Sequence, residues 1–163
     1  MKHNPLLEEL RLAFPPRPIR AEGAFEQRGI AYCDADDYML EMEGKTWEQM
    51  DPQFFARRSD GLSFLSDTHI VEVLPLYLHL LLVFRPTSPV PETLLPLLTR
   101  PEPTDKPENL YGWRKKRFEG VTSLLTETQK QVVARTLDHF VTAAPDEARW
   151  AEPAIERYWG QFA

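Results

Sequence analysis

The most prominent pattern in the chain is one long apolar segment. Residues 70–84 are apolar at nearly every position, and Glu72 and His79 are the polar exceptions. Ser66, four residues before this segment, is a good helix cap. The pattern therefore predicts a helix over residues 66–85 that is buried on most sides. Pro75 lies well inside this segment and predicts either a kink or two helices that meet there.

Shorter helix patterns lie on both sides of this segment. Residues that typically precede a helix recur along the chain, at Asn4, Asp34, Thr46, Asp51 and Thr126. Thr126 and Gln129 have the spacing of a capping box, and the apolar stripe over residues 132–144 then repeats with a helical period. Residues 17–31 have no such period and predict a loop with one short helix or strand. The predicted fold class is all-α, or mainly α with a minor hairpin.

The length and the proline content indicate how these helices are organised. A chain of 163 residues with 42% hydrophobic content suits a single domain over residues 1–163. Proline contributes 15 of the residues, about twice its usual share, and much of the excess lies between residues 86 and 107. We predict a proline-rich connector over residues 86–108, extended except for one short helix over 91–98.

Charge and cysteine content narrow the classes of partner and compartment. A formal net charge of −6 disfavours binding to nucleic-acid phosphates and to anionic membranes, and it favours a basic protein partner. The single cysteine, Cys33, permits no internal disulfide. Residues 1–9 lack the pattern of a secretory signal, and the apolar segment is shorter than the ~20 residues that a membrane span needs. We expect a cytoplasmic protein without a membrane partner.

Three titratable residues in or beside the apolar helix form a candidate pocket near Pro75. His69 and Glu72 are three residues apart and share a helix face, and His79 lies two turns further along. The helical-bundle metal motif has the order Glu-x-x-His and is duplicated, which is not the case here. No glycine-rich phosphate loop or exposed hydrolase serine is present. The sequence predicts no catalytic residue, no metal site and no cofactor.

Two charged clusters are candidates for a partner surface. Asp36, Asp37 and Glu41 form the acidic one, which lacks the glycine and the final glutamate of a calcium loop. The basic one is the run from Arg114 to Arg117, which follows Trp113. One short basic run on an acidic chain makes nucleic-acid binding improbable, and a contact between the two clusters, within the chain or between two copies, is an equal alternative.

Several short motifs resemble a family of small bacterial proteins of unknown function. They are Trp47-x-x-Met50-Asp51-Pro52-x-Phe54, Leu62-Ser63-Phe64-Leu65-Ser66, Leu74-Pro75-x-Tyr77-Leu78, Leu125-Thr126-x-x-Gln129 and Tyr158-Trp159. The resemblance covers residues 44–160. It departs from the family at residues 68–71, where members carry a phenylalanine-rich stretch. It implies a bacterial origin, a cytoplasmic setting and a helical fold, and it assigns no catalytic residue.

Two functional hypotheses follow. The first is a non-enzymatic protein-interaction or immunity-type accessory protein that docks on a more basic partner. The alternative is a small enzyme or ligand-binding domain with a pocket near Pro75 that uses His69, Glu72 or His79. Of the two hypotheses, the sequence favours the non-enzymatic one. The number of copies in the assembly does not follow from the sequence.

Overall fold

The computed structural model describes residues 4–25, 32–83 and 87–163, and these residues form helices joined by loops. The α-helices are α1 (Pro5–Ala13), α2 (Ala35–Met42), α3 (Pro52–Arg57), α4 (Asp67–Leu82), α5 (Val90–Leu98), α6 (Tyr111–Leu124), α7 (Glu127–Ala143) and α8 (Glu152–Arg157). Shorter 3₁₀ segments cover Ser59–Phe64, Glu108–Leu110, Pro145–Trp150 and Trp159–Phe162. The all-α class is confirmed.

The predicted loop over residues 17–31 falls only partly within the structure. Residues 26–31 lie outside the described residues. In the described part, Ile19 forms an isolated parallel bridge with Glu43, and its amide donates to the carbonyl of Lys45 at 3.0 Å. No hairpin occurs in the three described ranges. This bridge holds the segment after α1 against the end of α2.

Helix α4 lies at the centre of the fold, as predicted. It packs against α1, α3, α5, α6 and α7, and most of its side chains from Ile70 to Leu81 are buried. It runs without a break through Pro75, so the alternative of two helices meeting there is wrong. It ends at Leu82 rather than at Arg85, and residues 84–86 lie outside the described part of the chain. Within the described ranges, no helix has the length and apolar character needed to cross a bilayer.

The predicted helix starts are correct where the side chain reaches a free amide. Asn4 and Asp51 each accept a hydrogen bond from the amide two residues on, and Thr126 and Gln129 form the complete capping box. The amide of Thr46 donates to the side-chain oxygen of Gln49. A turn follows rather than a helix, so the prediction of a helix start at Thr46 is wrong. Asp34 precedes α2 without a side-chain cap, and its carboxylate lies 3.7 Å from the guanidinium of Arg58.

The proline-rich region contributes to the core, contrary to its prediction as a connector. Helix α5 confirms the short helix expected near 91–98, and its residues Val90, Leu94, Leu95 and Leu98 are completely buried. The indole Nε1 of Trp159 donates to the carbonyl of Leu98 at 2.6 Å. Because α5 carries this apolar face, residues 90–98 are a structural element of the fold. Residues 99–107 carry no helix.

Candidate functional site

His69 has a structural role in this fold. It is 9% exposed, its Nδ1 lies 2.6 Å from the hydroxyl of Ser66, and its Nε2 lies 2.8 Å from the carbonyl oxygen of Arg20. A carbonyl only accepts, so Nε2 donates to it, and Nδ1 forms its hydrogen bond with the hydroxyl of Ser66. Both ring nitrogens are therefore engaged in tying the segment after α1 to the start of α4. Neither ring nitrogen of His69 is thus free for the pocket that the sequence predicts near Pro75.

His79 lies in a separate shallow groove. Its neighbours there include Trp47, with ring centroids 6.4 Å apart, and the ion-paired side chains of Arg11 and Glu48. Burial lowers the pKa of His79, and the nearby Arg11 lowers it further, while Glu48 opposes them. The imidazole is thus held in its neutral form at physiological pH. His69, Glu72 and His79 do not converge on one site.

A cleft of about 560 Å³ lies beside Pro75, where α4 faces α1 and the start of α7. Glu72 and Pro75 both line it, as does Leu12. Two long-range hydrogen bonds hold its walls together. Trp47 Nε1 donates to the carbonyl of Phe14 at 2.9 Å, and Gln129 Nε2 donates to that of Ala13 at 3.1 Å. The remaining lining residues are Ala13, Phe14, Pro15, Arg17, Ile19, Trp47, Val71, Thr126, Thr128 and Gln129.

On the helix side of this cleft, the carboxylate of Glu72 has an oxygen that lacks a donor. Glu72 is half-buried, and its Oε2 is shielded from solvent without a hydrogen-bond partner among the described residues. One turn on, Pro75 has no N–H to give to the carbonyl of Val71, which is its normal helical acceptor. Burial raises the pKa of Glu72, and the nearby His69 partly offsets this effect. A bound group with an N–H donor would satisfy the unpaired oxygen of Glu72.

Replacing Glu72 by glutamine is expected to stabilise the protein at neutral pH. Because burial raises the pKa of Glu72, ionisation of this carboxyl costs stability as the pH rises above about 4.3, the ordinary pKa of a glutamate. The advantage of Glu72→Gln should therefore be largest near pH 7 and shrink as the pH falls through the raised pKa towards about 4.3. Urea denaturation across this range measures it. Glu152→Gln, at an exposed position on α8, is the control, and an advantage that does not change with pH would contradict the prediction.

The acidic cluster predicted as a partner surface is partly engaged by other groups of the chain. Asp36 and Asp37 are exposed on α2. The Oε1 of Glu41, in contrast, accepts hydrogen bonds from Lys45 Nζ at 2.7 Å and from the amide of Asp51 at 3.1 Å. No described ion pair joins α2 to the basic run on α6. Leu40, which lies between Asp37 and Glu41 in the sequence, is 77% exposed.

The basic run on α6 divides into two different environments. Arg114 is half-exposed and donates to the carbonyl of Lys106 at 3.1 Å. Arg117 is only 4% exposed, so its prediction as a surface residue is wrong. Its Nη2 donates to the carbonyl of Leu62 at 3.2 Å, and its Nη1 lies 3.4 Å from a carboxylate oxygen of Asp67. Helix α6 buries this side chain where it packs on the start of α4.

Neither a metal cluster among the described residues nor a known relative indicates what the clefts bind. Across the residues that the structure describes, no group of three or more histidine, cysteine or acidic side chains is placed to hold a metal ion. Comparison of the chain with protein-family models, with curated proteins and with solved structures finds no match. The resemblance to a bacterial family therefore stays a prediction, and the functional argument depends on the geometry of the clefts.

Proposed function

We propose that this chain is a non-enzymatic binding protein that docks a basic segment of a partner protein in the cleft beside Pro75. The observation that supports the proposal is that Glu72 lines the cleft and that its Oε2 has no hydrogen-bond partner among the described residues. A lysine or arginine side chain brings the positive charge and the N–H donors that this oxygen lacks. The net charge of −6 would also attract a basic partner over longer distances.

The apolar groups at the cleft favour a polypeptide as the occupant. Leu12 is 81% exposed at the edge of the cleft, and Phe14, Ile19 and Val71 line it further in. An exposed leucine beside a carboxylate suits a segment in which an apolar residue lies close to a basic one. Arg17 also lines the cleft and is exposed, so it should oppose a basic segment. The same proposal includes an immunity-type or accessory role in a bacterial cytoplasm, in line with the sequence resemblance.

The alternative of a small enzyme at the same place has less support. General acid–base chemistry needs a titratable partner close to Glu72. His69 is engaged by Ser66 and by the carbonyl of Arg20, and His79 lies in another groove. In our proposal Glu72 therefore binds a basic group and has no catalytic role.

Selection of peptides from a random displayed library against the purified protein tests the proposal. We expect the enriched peptides to share a lysine or arginine next to an apolar residue. Glu72→Gln should weaken the binding of a selected peptide at least ~10-fold, which corresponds to ~1.4 kcal/mol, and Leu12→Ser should also weaken it. Arg17→Ala should leave binding unchanged or strengthen it, since it removes a like charge.

Two control variants locate the site. Asp36→Asn removes one negative charge at an exposed position on α2 and should leave peptide binding unchanged. The double variant Asp36→Lys with Asp37→Lys tests α2 itself as the docking surface. Selected peptides without a basic residue would overturn the proposal. So would binding that survives Glu72→Gln but is lost in the double variant.

A further inference from the structure

A second cleft, of about 320 Å³, lies where the 3₁₀ segment Ser59–Phe64, α5 and the first half of α6 meet. It is lined by residues of all three elements and shares none with the cleft beside Pro75. Its volume is at the lower end of the range for small-molecule sites. The cleft is thus suited in size to a small metabolite rather than to a protein segment.

Arg117 is the unusual residue of this second cleft. It lines the cleft although it is only 4% exposed. Its Nε and Nη1 have no hydrogen-bond partner among the described residues, and the nearby Asp67 compensates its charge only at 3.4 Å. A buried donor without a hydrogen-bond partner destabilises the fold, and a ligand that accepts from it removes this cost. A carboxylate is the group whose two oxygens best match the donors of a guanidinium.

Charges of both signs line the same small cleft. Arg114 lies one turn of α6 before Arg117 and adds a second cation. Asp60 comes from the 3₁₀ segment and Glu92 from the first turn of α5, so the anions are on different elements from the cations. Asp60 also accepts a hydrogen bond from the hydroxyl of Tyr32 at 3.2 Å. A simple anion would be repelled by these carboxylates, whereas a zwitterion is attracted by both sets of charges.

The uncharged part of the lining has three hydroxyl side chains, Ser63, Thr93 and Thr99, and an apolar wall that includes a half-exposed tryptophan. Trp113 is 50% exposed, and Phe64, Pro96 and Leu97 line the cleft with it. Large apolar or aromatic groups pack well on an indole ring. The cleft thus combines a wall for an apolar side chain with groups that match a carboxylate and an ammonium.

We propose that this second cleft binds a free α-amino acid with a large apolar side chain. Arg117 and Arg114 bind its carboxylate, Asp60 and Glu92 bind its ammonium group, and Trp113 packs against its side chain. The site is independent of Glu72 and adds a small-molecule ligand to a protein-binding function.

Nuclear magnetic resonance with ¹⁵N-labelled protein tests this proposal. The chain has 4 tryptophans, and a Trp113→Phe variant identifies the indole N–H signal of Trp113. L-Phenylalanine should shift this signal in a saturable way. L-Phenylalaninamide lacks the carboxylate, N-acetyl-L-phenylalanine lacks the ammonium, and L-alanine lacks the large side chain. We expect each of them to bind at least ~10-fold more weakly, a loss of ~1.4 kcal/mol.

Two charge variants test the assigned roles without depending on overall stability. Arg114→Gln should reduce the preference for phenylalanine over its amide. Glu92→Gln should reduce the preference for phenylalanine over its N-acetyl form. Each variant changes one preference and leaves the other, a result that a general loss of folding cannot produce. Glu72→Gln should leave all four affinities unchanged.

Three outcomes would overturn the proposal. One is the absence of any shift of the Trp113 signal at phenylalanine concentrations up to about 10 mM, well above the Kd of a weak specific complex. Another is equal binding of phenylalanine, its amide and its N-acetyl form. The third is that Arg114→Gln and Glu92→Gln change both preferences by the same factor.

Discussion

Trp159→Ala is expected to lower the free energy of unfolding by about 3–5 kcal/mol, the cost of truncating a large buried aromatic residue. The side chain is completely buried and lies in the 3₁₀ segment that packs against α7. Its Nε1 donates to the carbonyl of Leu98 at the end of α5. Alanine therefore leaves a cavity and also an unpaired carbonyl. A loss of this size is a large part of the stability of an ordinary domain.

Urea denaturation followed by circular dichroism measures this loss. Trp159→Phe keeps much of the ring volume but removes the donor to Leu98, so we expect a smaller loss of about 1–3 kcal/mol. Trp113→Ala is the matched control, because Trp113 is 50% exposed and exposed substitutions change stability by about 0.5 kcal/mol. Equal losses for Trp159→Ala and Trp113→Ala would contradict the role of Trp159 in joining α5 to α7.

The parts of the fold that were predictable depend on neighbours in sequence. Helix α4 follows from its unbroken apolar pattern, and the capping box at Thr126 follows from two residues three positions apart. The short helix over residues 91–98 was predicted, but the proline composition around it was given more weight than its apolar spacing, so its burial in the core was missed. Pro91 lies in the first turn of α5, where proline is tolerated. The apolar residues of α5 recur at Val90, Leu94 and Leu98, which is a helical spacing that the sequence already contained.

The parts of the site that were not predictable depend on distant contacts. Glu72 and Pro75 share a helix face, so a cleft at that place was a local inference, and both residues do line one. The partner of His69 is the carbonyl of Arg20, which lies 49 positions away in the chain. No periodicity identifies such a contact. The same is true of Arg117, because a run of four basic residues is typical of an exposed helix face.

Gly120 explains why Arg117 can be buried. A Cβ atom at this position would lie 2.1 Å from a carboxylate oxygen of Asp67, so glycine permits the close approach of α6 to the start of α4. Asp67 then lies near the guanidinium of Arg117. A glycine inside a helical pattern was a local signal of close packing, but its partner is 53 positions earlier in the numbering and is seen only in the folded chain.

Gly61→Ala is expected to destabilise the protein by about 1–3 kcal/mol, the usual cost of overpacking a core. A Cβ atom there would lie 2.7 Å from Cε2 and 2.9 Å from Cδ2 of the Tyr38 ring. Tyr38 is completely buried, its hydroxyl lies 2.8 Å from that of Tyr77, and its ring packs edge-on to Phe55 with centroids 4.8 Å apart. The ring is thus held on several sides and cannot move aside cheaply.

The comparison with Gly112→Ala separates this packing effect from the general effect of glycine. Gly112 lies in α6, and a Cβ atom there has nothing within 4 Å, so its replacement should stabilise the protein by about 0.5–1 kcal/mol. The two Gly→Ala substitutions should therefore change the free energy of unfolding in opposite directions, as measured by urea denaturation. A Gly61→Ala protein as stable as the wild type would mean that the 3₁₀ segment moves away from Tyr38 at little cost. The aromatic cluster would then not fix the position of Ser59–Phe64, and with it the Asp60 wall of the second cleft.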